Sequence, residues 1–270
     1  MSYLLNAAIK GVVEGFTEFL PISSTGHLIV VGKYLPLTAN AAEVKKLDDM
    51  FDLVIQFPAI LAIVVLYRRR LWDSARAVQE RPEARRFWWA LALACVPVGL
   101  AGLELGSAAE IHLRNPLVVA VAWIVGGLIL AFFERLAMRP TVNKAEEVPL
   151  ASAVSMGVFQ CLALIPGTSR SGASIVSGRL MGLSRTAAAE FSFFLAIPTM
   201  GAACGYKLLK DYKDIDWHAH GAILLIGSVT AFLSAWAVVA LFLRLLEKKY
   251  GLSAWGWYRI ALGLLVLATV

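Results

Sequence analysis

The stretch Gly11-Val12-Val13-Glu14, followed by Pro21-Ile22-Ser23-Ser24-Thr25-Gly26, returns later in the chain as Gly157-Val158-Phe159-Gln160, followed by Pro166-Gly167-Thr168-Ser169-Arg170-Ser171-Gly172. The sequence is therefore two copies of one pattern. The correspondence continues in outline, because Phe57-Pro58 opens an apolar run as Ile197-Pro198 does, and two further apolar blocks follow in each copy. The expected organisation is a first half over 1–134, a polar linker over 135–148 and a second half over 149–270, all within one membrane domain.

Outward from the repeated motif the chain is strongly apolar. Of its 270 residues 59% are hydrophobic and 16% charged, with a mean hydropathy of +0.70, against about a quarter charged in an ordinary soluble domain. The apolar residues come in blocks close to the roughly 17–25 residues that cross a bilayer as helix. The predicted fold is an all-α integral membrane protein with six transmembrane helices, at about 52–67, 87–103, 118–133, 191–206, 221–243 and 255–270. The Pro-, Gly- and hydroxyl-rich stretches Pro21–His27 and Pro166–Ser174 cannot face lipid, since their backbone groups would go unpaired there. They are predicted as the tips of two re-entrant helix pairs. With three spans per half, the halves then lie in opposite orientation, an inverted-topology repeat.

Charge placement orients this layout. Arg68, Arg69, Arg70, Arg76, Arg81, Arg85 and Arg86 crowd one loop, and the three-span arrangement puts Arg135, Arg139, Lys144, Arg244, Lys248 and Lys249 on the same side. By the positive-inside rule that side is cytoplasmic and both termini lie outside. The net charge of +6 thus sits at the ends of apolar blocks and forms no stripe for nucleic acid. Cys95, Cys161 and Cys204 are scattered singly, without zinc-ligand spacing, and read as packing residues. Lys10, Glu14 and Glu18 interrupt the first apolar run, so no cleaved signal peptide is expected.

Three groups of residues carry possible chemistry. Glu14 and Glu18, four apart, share a helix face; buried together they repel, which invites a proton or a hard cation such as Mg²⁺ or Ca²⁺. The alternative is a solvated stripe of Lys10, Glu14 and Glu18 on an amphipathic helix. Ser23-Ser24-Thr25-Gly26-His27 puts hydroxyls beside an imidazole, an arrangement that makes a nucleophile, although a serine before a helix also serves as its N-cap. Around Arg170 the glycines and the hydroxyls of Ser169, Ser171 and Ser174 suggest a phosphate cradle, with the guanidinium forking onto phosphate oxygens. His112, His218 and His220 read as surface residues, and Gly102-x-x-x-Gly106 and Gly201-x-x-x-Gly205 as sites of close helix packing.

The run Glu14-Gly15-Phe16-Thr17-Glu18-Phe19-Leu20-Pro21-Ile22-Ser23-Ser24-Thr25-Gly26-His27, together with Pro166-Gly167-Thr168-Ser169-Arg170-Ser171-Gly172, closely resembles the undecaprenyl-diphosphate phosphatases, the bacitracin-resistance proteins. The resemblance covers essentially the whole chain; one departure is Ser174, where members often have Thr. It implies a multi-pass enzyme of the bacterial plasma membrane, its site facing the outer side, that hydrolyses undecaprenyl diphosphate with a divalent cation. The expected partners are that lipid and the bilayer, with no nucleic acid and a homodimer as a candidate assembly. It further implies Glu18, Ser24, His27 and Arg170 in catalysis, Thr25, Ser169, Arg170, Ser171 and Ser174 on the substrate phosphates, and Glu14 and Glu18 on the metal. Ser24 activated by His27 is the first choice of nucleophile and His27 itself the second. The competing class is a carrier or flippase for a prenyl-phosphate lipid or small anion, which would use the same arginine and glycines but need no nucleophile.

Overall fold

A computed structural model describes residues 2–133, 139–212, 216–246 and 251–269. Among them all regular structure is helical, apart from one isolated bridge between Val142 and Leu183. Eleven α-helices follow in order: α1 Tyr3–Glu18, α2 Ser24–Gly32, α3 Ala41–Leu66, α4 Arg68–Arg76, α5 Pro82–Leu113, α6 Pro116–Phe132, α7 Leu150–Gln160, α8 Arg170–Leu180, α9 Arg185–Asp211, α10 Trp217–Leu246 and α11 Ser253–Leu267. Local chemistry sets many of the starts: Ser2, Ser23, Asn115, Ser169 and Ser184 cap helices with their side chains, and Pro82 and Pro116 occupy first turns.

Each of the six expected spans falls mostly on one helix, those at 52–67, 118–133 and 255–270 running past the ends of α3, α6 and α11 at Leu66, Phe132 and Leu267. Four stretches are long and apolar enough to cross a bilayer, Glu43–Leu66, Pro82–Gly106, Arg185–Lys210 and Trp217–Leu246, whereas α6 and α11 have only 17 and 15 residues. The protein is a multi-pass membrane protein. Prolines 58, 97 and 198 stand inside α3, α5 and α9, where neighbouring helices can satisfy the backbone groups they free.

Helix pairing repeats with the sequence. α1 packs on α10 as α7 packs on α5, while α3 packs on α9 and α6 on α11. The echoed glycines make the first two contacts possible. A Cβ on Gly11 would strike the Gly227 carbonyl of α10, and one on Gly157 the Ala94 carbonyl of α5. By contrast, nothing lies within 4 Å of a Cβ built on Gly102, Gly106, Gly201 or Gly205. Those two G-x-x-x-G pairs, expected to bring helices together, do not do so among the described residues.

The first helix settles the question of the solvated stripe. Lys10, Glu14 and Glu18 are 0%, 1% and 6% exposed, so the polar face of α1 points into the protein. The segment 36–50 is mostly the start of α3; Glu43, Lys45 and Lys46 are exposed, but Asp48 and Asp49 are held in ion pairs. Asp48 pairs with Lys10 at 2.9 Å, while Asp49 and Asp52 pair with Arg114 at 3.2 and 2.7 Å. A second ionic cluster joins α4 to the linker and α9, where Arg70 holds Glu146 and also reaches Glu190 at 2.8 Å. Part of the predicted inner-side charge, Arg135, Lys248 and Lys249, falls outside the described residues.

Candidate active site

The two broken helix pairs, α1–α2 and α7–α8, meet tip to tip. Ser169 and Ser171 at the start of α8 donate to the carbonyl of Leu20 in the first tip, at 3.3 and 2.8 Å. Arg259 of α11 joins both tips from the other side. Its guanidinium donates to the carbonyls of Pro21 at 3.2 Å, Gly167 at 3.0 Å and Ala122 at 2.9 Å. The carbonyls that an irregular tip leaves without helical partners are thereby satisfied by protein donors.

This clasp brings together residues far apart in the chain. Arg170 donates through Nη2 to Glu18 Oε1 at 3.0 Å, a contact between residues 152 positions apart, and through Nη1 to the Ser192 carbonyl at 2.9 Å. Its Nε is buried without a hydrogen-bond partner, and its face rests 5.7 Å over the Phe19 ring. The other oxygen of Glu18 accepts a very short hydrogen bond from the Ser24 hydroxyl. A cation, a carboxylate and a hydroxyl thus form one line, Arg170–Glu18–Ser24, with all three side chains almost wholly shielded from solvent.

His27 takes a different place from the one expected. Its Nδ1 lies 2.7 Å from the Ser23 carbonyl and its Nε2 2.9 Å from the Tyr258 hydroxyl, so both ring nitrogens are engaged away from Ser24. The expected Ser24–His27 pair is not formed; the acceptor for the Ser24 proton is Glu18. Ser23 proves to be the N-cap of α2, accepting from Gly26 N at 3.4 Å, so the capping alternative holds for Ser23 and leaves Ser24 free for Glu18.

The hydroxyls around Arg170 are also placed otherwise than as an open cradle. Ser169 caps α8 through Gly172 N at 3.1 Å, Ser171 holds Leu20, and Ser174 lies 2.7 Å from the Ser192 hydroxyl. All three are buried and bind protein, which makes them the frame that fixes Arg170. Thr25 is half-buried at the first turn of α2.

Arg259, Tyr258 and Ser192 were not singled out from the sequence. Arg259 carried the one available signal, a lone cation inside an apolar block, and at 2% exposure it is an intramembrane charge of the kind that marks a functional region. Tyr258 and Ser192 carry no such signal, because a tyrosine or a serine in an apolar helix is ordinary.

The carboxylates fit a hard cation in part. Glu14 adjoins Glu18 and Ser24 and feels the charge of Asp52, and its Oε1 is buried with no hydrogen-bond partner. Its repeat counterpart Gln160 likewise buries an unpartnered Oε1. Among the described residues no three His, Cys, Asp or Glu side chains form a complete metal site. Two carboxylates completed by substrate phosphates are a usual Mg²⁺ arrangement.

Comparison with known proteins points the same way. A family model described as Bacitracin resistance protein BacA matches residues 7–265. Undecaprenyl-diphosphatase 2 of Rhodospirillum rubrum is 46% identical over 266 residues, covering 98% of this chain and 94% of that protein. The undecaprenyl-diphosphatase of Aromatoleum aromaticum is 46% identical over 263 residues, covering 97% and 93%. That of Limosilactobacillus fermentum is 44% identical over 280 residues, covering 99% and 98%.

Proposed function

The chain belongs to the bacitracin resistance protein BacA family, and we propose that it hydrolyses undecaprenyl diphosphate to undecaprenyl phosphate and inorganic phosphate at the site between the two tips. Regenerating this lipid carrier supports peptidoglycan synthesis and confers resistance to bacitracin, which sequesters the diphosphate form. The observation that carries the reading is the Arg170–Glu18–Ser24 line, because it joins an anion-binding group to a hydroxyl already hydrogen-bonded to a base.

In the proposed reaction the prenyl chain stays in lipid while the diphosphate head reaches Arg170, whose unpartnered Nε and fork geometry suit phosphate oxygens. Ser24 Oγ attacks the terminal phosphorus as its proton passes to Glu18. The bond from that phosphorus to the bridging oxygen breaks, and undecaprenyl phosphate leaves. Water then attacks the phosphoserine, releasing phosphate and restoring the Ser24 hydroxyl. Positive charge held before the reaction, where negative charge accumulates on the equatorial oxygens, is the main source of acceleration expected in such a site. Glu14 and Glu18 are the residues that would hold a divalent cation, Mg²⁺ or Ca²⁺, and its chemistry there would be charge neutralisation on the diphosphate. His27 serves as the acid or base for the leaving group and for water.

The same reading places the protein in the bacterial plasma membrane as six spans and two re-entrant pairs, an inverted repeat whose active site opens outward. The exchange of α1 on α10 for α7 on α5 supports the repeat. Arg70, tied to Glu146 of the linker, supports one shared cytoplasmic end for the arginine-rich loop and the linker.

Phosphate release from undecaprenyl diphosphate by detergent-purified protein, with and without chelator, tests the proposal. Cation-dependent release that Arg170→Ala abolishes at matched folding is the expected result. A well-folded parent protein that releases no phosphate would overturn it in favour of lipid or anion transport.

A further inference from the structure

His27 sits in a slot formed in part by two aromatic rings. The Trp123 ring lies 4.9 Å away, tilted by 58°, and its Nε1 donates to the Ile22 carbonyl at 2.9 Å, which fixes it to the first tip. The Tyr258 ring lies 5.9 Å away and within 3° of parallel, with its hydroxyl 2.9 Å from Nε2. α2 is pressed onto Trp123 so closely that a Cβ on Gly26 would strike the indole. The imidazole therefore has little freedom to turn within the slot.

The hydrogen bonds also choose its tautomer. A backbone carbonyl can only accept, so at 2.7 Å from the Ser23 carbonyl the Nδ1 position must carry the hydrogen. In the neutral ring Nε2 then holds the lone pair, and the Tyr258 hydroxyl donates to it. This is how a hydrogen bond at one imidazole nitrogen sets the chemistry of the other. Tyr258 is itself secured, because the next residue, Arg259, is clamped to the carbonyls of both tips. Yet Tyr258 is 42% exposed, so the group bound to Nε2 stands at the outer edge of the site and not in its core.

We infer that Tyr258 is a positioning residue for the reaction: its hydroxyl holds His27 with Nε2 as the free base, turned toward the edge of α11 where the substrate head would meet it. The inference rests on the reading of His27 as part of the phosphatase machinery, but its structural half stands on the ring geometry alone. Tyr258 sits two residues from Gly256, which packs tightly on α6, so the α6–α11 contact fixes the part of the helix that carries it.

Tyr258→Phe keeps the ring and removes the hydroxyl, and the chain has only four histidines to resolve. In protein labelled with ¹⁵N-histidine, with His27→Ala used for assignment, the parent is expected to show a protonated Nδ1 and an unprotonated, hydrogen-bonded Nε2 at His27. In Tyr258→Phe the Nε2 resonance should move while Nδ1 stays. Loss of one hydrogen bond worth about 0.5–1.5 kcal/mol corresponds to roughly a 2- to 10-fold fall in kcat, with KM changed less than about twofold. An Nε2 resonance that does not move overturns the inference, whatever the activity. An Nε2 that moves with kcat intact overturns the catalytic half. Full activity in His27→Ala would instead refute the assignment of His27 to the machinery, so the two failures are told apart. Tyr258→Ala, which also removes the ring, should lose more thermal stability in detergent than Tyr258→Phe, which loses only the hydrogen bond.

Discussion

The two tips begin alike and end differently. Ser23 and Ser169 cap the helices that follow them in the same manner, each accepting from the glycine three residues on, Gly26 or Gly172. Beyond the cap, the first tip continues with Ser24, Thr25 and His27 and faces the acids of α1. The second continues with Arg170, Ser171 and Ser174. The first supplies acid, hydroxyl and imidazole, and the second supplies the cation and the hydroxyls that fasten one tip to the other. A duplicated frame thus gives two equivalent positions, and each tip carries a different half of the proposed site.

If the first tip is the reactive one, changes there should act on kcat with the fold intact. Glu18→Gln keeps the shape and the possibility of a hydrogen bond to Arg170 but removes the base for Ser24. Phosphate release should fall about 10²–10⁴-fold, the range for a general base, as measured in single turnovers with unchanged thermal unfolding in detergent. Arg170→Lys tests the second tip's contribution. A lysine keeps the charge but loses the fork that holds Glu18 and Ser192 together and, in the proposed reaction, the phosphate oxygens, so kcat/KM should drop by about 10²–10³. Near-parental activity in Arg170→Lys would mean that charge alone matters and that the geometry of the line does not.

How far this division is visible in the sequence depends on distance along the chain. The shared helix face of Glu14 and Glu18, the broken segments and the arginine among hydroxyls are local patterns, and each was found where expected. The apolar blocks gave the helices for a similar reason, since hydropathy fixes burial in lipid without reference to partners. Contacts across the chain were not visible. Ser24 could be paired with His27, three residues away, but the acceptor proved to be Glu18 on the far side of the tip. Arg259 was hidden because its partners are backbone carbonyls, which every residue has. The ion pairs of Lys10 and Arg114 with Asp48, Asp49 and Asp52 join residues far apart in the chain and leave no local sign in the sequence. The G-x-x-x-G pairs erred in the opposite direction, a real pattern with nothing packed on it among the described residues.

The second tip's hydroxyls sharpen the comparison further. Ser171→Ala removes one of the two side-chain donors to the Leu20 carbonyl, so it should cost about 1 kcal/mol of stability and leave kcat per folded molecule within about threefold. A large kcat loss with no change in thermal unfolding would return Ser171 to the phosphate site. On the side of the linker, burial alone would raise the Glu146 carboxyl, but the Arg70 guanidinium bonded to it holds it below its ordinary value of 4.5. A carboxyl depressed in the folded state stabilises above that ordinary value and loses its contribution as pH falls through the lower, folded one. Thermal unfolding should therefore decline more steeply below pH 4.5 in the parent than in Glu146→Gln, and equal slopes would show that the Arg70 clasp contributes nothing.

The smallest expected effect concerns the one backbone feature that separates the tips. Ser23 has φ 69°, the only described non-glycine residue with positive φ, whereas its counterpart Ser169 sits at −63° and in the second tip the positive φ falls on Gly167. A side chain in that region costs about 1–3 kcal/mol, and replacing a serine cap by glycine costs only a few tenths. Ser23→Gly should thus raise stability, by about 1 kcal/mol once both terms are counted. It should also loosen the carbonyl that holds His27 Nδ1, lowering kcat a fewfold. Strain at this residue would then be the means by which the first tip aims its imidazole, something the second tip, with alanine at the matching position, does not need. Destabilisation by Ser23→Gly would mean instead that the hydroxyl cap outweighs the strain, and the two tips would differ only in the side chains they carry.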